Sequence, residues 1–190
     1  MLTELSLPGA GPETSADRAY EILRERLAIL DVRPGEPIND DRLAAELGVG
    51  RTPVREALKR LERDRLVVAY PRHGTFATPV DMTDLADISE IRKQLEPLAA
   101  ARAARMATTG MRGRLAALAD EIGRIEDGQD AREVLRFDVR VHGDIYRAPG
   151  NPHLEQILVG LDAHATRIWC VFLDRIAGVA GHAREHRALL

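Results

Sequence analysis

Apolar residues recur every three or four positions along most of this chain. Between Ser15 and Leu30, Ala19, Ile22, Leu23, Leu27 and Leu30 fall at helical spacing, which predicts an amphipathic helix. Arg33-Pro34-Gly35-Glu36-Pro37 ends it, because proline cannot continue a helix. Asn39 or Asp40 can cap a second, short helix carrying Leu43, Ala44 and Leu47, which Gly48 ends. A third helix is predicted from about Gly50 to Asp64, with Val54, Ala57, Leu58 and Leu61 as its apolar face. Leu66–Tyr70 and Thr75–Thr78 then predict two short strands, joined by a tight hairpin at Pro71-Arg72-His73-Gly74.

Beyond Val80 the pattern is helical throughout. Residues 83–107, 112–126, 131–148 and 151–174 are rich in Ala and Leu, separated by Gly110, Gly128 and Pro149-Gly150. A last helical stretch follows Gly181. The expected fold class is mainly α. Two short helices with a tight Gly turn, backed by a hairpin, make a winged helix-turn-helix domain over residues 15–79. An all-α helical bundle domain follows over residues 80–190. Residues 1–14, with Pro8, Gly9, Gly11 and Pro12, read as a flexible leader.

Composition supports this and narrows it. A hydrophobic content of 45% suffices for a packed core, and an aromatic content of 4% beside abundant Ala, Leu and Arg favours helices. The single cysteine, Cys170, excludes a disulfide framework within the chain. No apolar run is long enough to span a membrane, and the N-terminus lacks a basic start and an apolar signal core. A cytoplasmic protein without membrane contact is expected.

Charge singles out one segment. The chain has a formal net charge of -3, yet Glu46–Val67 holds Arg51, Arg55, Lys59, Arg60, Arg63 and Arg65. Local positive charge on an acidic chain suggests a docking face. Arg51, Arg55 and Lys59 are four apart and share a face of the third helix. Pro53 fits the first helical turn, where its missing N–H costs little. Arg51, Thr52 and Arg55 therefore project from the end of the helix that enters the major groove in this motif. Arginine can donate two hydrogen bonds to guanine, and a helix N-terminus favours phosphate. An isolated stripe of this kind reads as a solvated face; the preceding helix, Gly turn and hairpin favour DNA.

The stretch DDRLAAELGVGRTPVREALKRLERDRLV, followed by PRHGTF, resembles the DNA-binding domain of GntR-family transcription regulators over about residues 15–79. The resemblance implies that Arg51, Thr52 and Arg55 contact bases or phosphates. It implies that the wing tip His73-Gly74-Thr75 reaches towards the minor groove, with Arg42 as a further phosphate contact. Two positions depart from the family pattern. Gly50 stands where Ser is usual, removing a possible cap, and Arg65 stands where Gly is usual, at a position that can require a left-handed backbone.

The helical half resembles the FadR-type (FCD) effector domain. Asp84–Ala104 is similar to its opening helix, and Arg136–Leu154 is similar to a central stretch with Asp and His four apart before a Gly-Asn turn. On spacing alone, such an Asp and His are an ion pair. The resemblance implies instead that Asp138, His142 and, from REHRALL, His186 hold one divalent metal. This donor set suits zinc. Arg92 is the expected partner of a small organic acid effector, although it can also pair internally with Glu96. His182, four before His186, is an alternative ligand; His153 and His164 are assigned to surface or core. Metal-binding members of the subfamily place another His one helix beyond the position of His186. This chain ends at Leu190 within an amphipathic pattern, so either it is short relative to its relatives or its effector domain closes differently.

The combined expectation is a metabolite-responsive DNA-binding transcription regulator, a repressor that binds a palindromic operator as a homodimer. The alternative keeps DNA binding but makes the helical half a purely structural dimerisation domain, without metal or effector. A metal-dependent hydrolase at Asp138, His142 and His186 is disfavoured. No Ser/His/Asp, Walker or dinucleotide motif appears, so no enzyme is expected.

Overall fold

The computed structural model describes residues 14–126, 128–172, 179–188 and 190. The expected leader, save for Thr14, lies outside them. Helix α1, Ser15–Ala28, begins at Thr14, whose hydroxyl accepts from the Asp17 N–H while the Asp17 carboxylate accepts from the Thr14 N–H. This reciprocal cap satisfies two orphan donors of the first turn. Helix α2, Asp40–Leu47, is capped by Asn39 and ends on Gly48, which has φ 64. Only glycine takes that left-handed backbone without steric cost, and it gives the tight turn its shape. Helix α3, Arg51–Arg63, follows with no side-chain cap at Gly50.

Two strands predicted from sequence, β2 (Val67–Tyr70) and β3 (Gly74–Ala77), form the wing. A third, β1 (Pro37–Ile38), adds to the far edge of β3, giving an antiparallel order β1-β3-β2. It pairs Pro37 with Phe76 and Ile38 with Thr75. Two residues, one of them proline, leave no periodicity to detect; proline is tolerated there because the strand is an edge.

Helices α1 and α3 pack through Tyr20, Leu23, Leu27, Val54, Ala57 and Leu61, with Leu66, Val67 and Ala77 closing the core from the wing. Leu23, Leu27 and Leu61 are essentially fully buried, each worth about 1.5–3 kcal/mol. Tyr20 donates to Asp64 at 2.8 Å, and the Arg60 guanidinium lies 4.0 Å from its ring centroid.

The helical half comprises α4 (Asp84–Met106), α5 (Thr109–Ile122), α6 (Ala131–Arg147), α7 (Pro152–Val171) and α8 (Val179–Glu185). A 3-10 turn, His186–Ala188, continues α8. Gly110 lies in the first turn of α5 rather than between helices, because Thr108 supplies the cap. Ala99, Leu118, Ile122, Val141, Ile145, Tyr146, Leu154 and Leu158 form the core. Helix α7 is shared: its Ala163 belongs to the core of the winged half. Its His164 donates from Nε2 to the Asp64 carbonyl at 2.7 Å. Its Arg167, 2% exposed, donates to the Thr78 hydroxyl at 2.7 Å and to the Thr78 carbonyl.

Candidate nucleic-acid interface and candidate metal centre

The Gly48 turn sets the N-terminal end of α3 beside the start of α2. Thr52 is exposed there, and Arg51 and Arg55 keep 58% and 61% of their side chains accessible. Neither arginine is loose. Arg51 makes a two-pronged contact with Asp41, including an Nη2–Oδ2 bond of 2.6 Å, and Arg55 Nε donates to Asp40 Oδ2 at 2.8 Å. The Arg55 hydrogen bond holds the Asp40 carboxyl below the ordinary carboxylate range. Arg42 projects from α2 and pairs with Glu46 at 2.7 Å. The sequence does not point to either aspartate as an arginine partner, since separations of ten and fifteen residues carry no local signal.

At the wing, Arg72 and Gly74 take φ of 66 and 100, which turns the chain and leaves His73 and Gly74 exposed. Thr75 is half-buried and pairs with Ile38. Arg65 takes φ 59, so it does occupy the left-handed backbone that the usual glycine would suit.

In the helical half, α6 sets Asp138 and His142 one turn apart, and the turn after α8 brings in His186. Asp138 Oδ2 lies 3.6 Å from His142 Nε2, and Asp138 Oδ1 lies 3.3 Å from His186 Nδ1. The two imidazoles meet edge to face, their centroids 4.7 Å apart. One ligand atom from each of the three lies within 4.8 Å of the others. Ligands about 2.1 Å from a tetrahedral zinc lie about 3.4 Å from one another; the two Asp138–histidine separations match this, and a small inward movement of the imidazoles would close the set on such an ion. Asp138 Oδ1 is also buried without a hydrogen bond, which a cation would remedy. The His182 side chain lies outside the described residues. His153 is exposed and His164 half-buried, as described for α7.

Behind His142 lies a polar network. His142 Nδ1 is 3.0 Å from the Tyr146 hydroxyl, which donates to Glu96 Oε1 at 2.7 Å. Arg92 donates to Glu96 at 2.7 Å and to Tyr146 at 3.2 Å, and lies 3.2 Å from buried Asp162. Burial raises the Asp162 carboxyl above its ordinary range, against the pull of His142 and Arg92. Burial would raise Glu96 too, but its bonds from Tyr146 and Arg92 bring it below that range. Burial and the nearby Asp162 push the Tyr146 hydroxyl far up, so it stays protonated. Asp138, His142 and Tyr146 follow one another at four-residue intervals, a stripe that was visible in the sequence. Its link to Glu96 and Asp162 was not.

Residues 15–77 match the family model "Bacterial regulatory proteins, gntR family", and residues 87–190 match the FCD domain model. An uncharacterized HTH-type transcriptional regulator in an unstable DNA locus of Streptomyces ambofaciens is 42% identical over 62 residues, 33% of this chain and 26% of that protein. The HTH-type transcriptional repressor RspR of Escherichia coli is 33% identical over 63 residues, 33% of this chain and 28% of that protein. The matched part thus spans little more than a quarter of either relative. The structure of E. coli McbR/YncC superposes with a TM-score of 0.73 at 24% identity, over 92% of this chain and 82% of that one, and shares the fold.

Proposed function

Since the chain belongs to the GntR family of bacterial regulatory proteins, with an FCD domain behind its winged helix, we propose that it is a metal-dependent, metabolite-responsive repressor. The family consists of transcription regulators, not enzymes. The observation that carries the sensing part is the Asp138–His142–His186 cluster. A zinc-like ion held there would offer open positions to the carboxylate of a small organic acid. Arg92, on the same network, is the side chain proposed to take the acid's negative charge.

Arg51, Thr52 and Arg55 are proposed to enter the major groove, with Arg42 on phosphate and His73-Gly74-Thr75 at the minor groove. Repression is favoured by the likeness of the winged half to RspR, a repressor by name. A homodimer on a palindromic operator is supported by the apolar surface left on the helical half. Ile91, Leu98 and Met106 of α4, with Trp169 and Val171 of α7, are exposed and suit a second copy of this chain. Among the described residues no helix is long and apolar enough to cross a membrane, and a cytoplasmic location fits DNA binding.

A second reading has one observation in its favour. Arg92 is already engaged by Glu96 and Asp162, as a purely structural helical domain would have it. Elemental analysis and thermal denaturation with added zinc separate the two. The sensor reading expects about one metal per chain, a raised melting temperature, and loss of both in His142→Ala. Wild-type protein that takes up no divalent metal and gains no stability from it would leave only the structural reading.

A further inference from the structure

We infer that Tyr146 is a positioning residue for the metal centre: with Glu96 and Arg92 it fixes a proton on His142 Nδ1, so that Nε2 faces the ion with its lone pair. The inference rests on the metal reading above and adds the device that makes His142 a ligand.

Its basis is an account of hydrogens. A tyrosine hydroxyl has one proton to give and two lone pairs to accept with. That proton goes to Glu96 Oε1, 2.7 Å away, because the carboxylate is paired with the Arg92 guanidinium and accepts from both. Arg92, 3.2 Å away, can only donate. The remaining neighbour, His142 Nδ1 at 3.0 Å, must therefore donate as well. A neutral imidazole with its proton on Nδ1 presents a bare Nε2.

The direction matters because a competing force acts on the same ring. Asp138 Oδ2 lies 3.6 Å from His142 Nε2 and would favour a proton there, closing an internal ion pair where the metal should sit. The Tyr146 network pulls the other way. Tyr146 is 1% exposed and His142 9%, so water cannot substitute for the hydroxyl. Partners behind a ligating histidine commonly alter metal affinity by about 10–100-fold when removed.

Zinc affinity of the full chain, measured by competition with a chromophoric chelator, gives one readout. The 15N shifts of the His142 ring in metal-free protein give another. Tyr146→Phe should weaken zinc about 10–100-fold and move the His142 proton from Nδ1 towards Nε2. Glu96→Ala leaves the tyrosine in place but frees its hydroxyl to turn towards Nδ1, so it should change both readouts the same way. That variant also decides the matter if Tyr146→Phe does not fold. A tyrosine that only fills space predicts lower stability with unchanged affinity and tautomer in the folded variants; this outcome overturns the inference. Wild-type protein that binds no zinc overturns the metal reading instead, while the ring shifts still report on the network.

Discussion

Replacing Arg167 tests whether the two halves of this protein are held together as described. Its guanidinium is buried, gives two hydrogen bonds to Thr78, and has no carboxylate partner among the described residues, with Nε left unbonded. Burial alone pulls its pKa down to about 10. Two hydrogen bonds from a charged donor contribute about 3–6 kcal/mol together. Three buried methylenes add about 2 kcal/mol. Against this stand several kcal/mol for burying an unpaired cation and about 2 kcal/mol of side-chain entropy. The balance predicts that Arg167→Ala destabilises the protein by roughly 2–4 kcal/mol, since it also strips the Thr78 carbonyl of its partner. In a chain of this length that is a drop of about 5–15 °C in melting temperature. Arg167→Met keeps the stem and buries no charge, so it should cost about 1–2 kcal/mol less. Urea denaturation of the three proteins at one pH gives the comparison. If both variants unfold at the same urea midpoint as wild type, the Arg167–Thr78 tether contributes nothing and the reasoning fails.

Other expectations are equally direct. Arg51→Ala and Arg55→Ala should each weaken operator binding by about 1–3 kcal/mol without unfolding the protein; equal losses on every DNA sequence would make them phosphate contacts only. Arg65→Gly should stabilise by about 0.5–1 kcal/mol, relief of the left-handed strain outweighing the greater freedom of glycine in the unfolded chain; a destabilised variant would argue that the Arg65 side chain has a compensating role. Burial lowers the pKa of His164 below its unfolded value. The unfolded chain therefore binds the proton first, and stability should fall as pH drops below about 6.5. His164→Gln, which can still donate to the Asp64 carbonyl, should flatten that slope, and an unchanged slope in urea melts would place the titration elsewhere.

The elements themselves were legible because each has a local cause. The helical period of α1 and α3, Gly48 after α2 and the Pro71–Gly74 hairpin all act within a few residues. The Asp138, His142 and His186 set was legible only through its likeness to a family, since nothing local says that the turn after α8 returns to α6. What sequence reading missed depends on distant pairs: Asp41 on Arg51, Asp162 on Arg92, Arg167 on Thr78. Burial decides such pairs, and a buried arginine held by a threonine hydroxyl and carbonyl leaves no trace in composition. Tyr146 is a different kind of miss. It stands on the same helical stripe as two proposed ligands, but its partners Glu96 and Arg92 lie 50 and 54 residues away, so nothing local marks it.

Helix α7 joins these observations into a mechanical one. At about 100° per residue, His164 and Arg167 leave the helix about 140–200° away from Asp162. One side therefore touches Arg92, beside the proposed metal, while the other holds Asp64 and Thr78 at the base of the wing. No loop lies between these contacts to absorb a displacement. A shift of α7 by an ångström at Asp162 would be a shift of similar size at the wing, and in the proposed dimer two wings would feel it as a change in the pitch at which they meet the double helix.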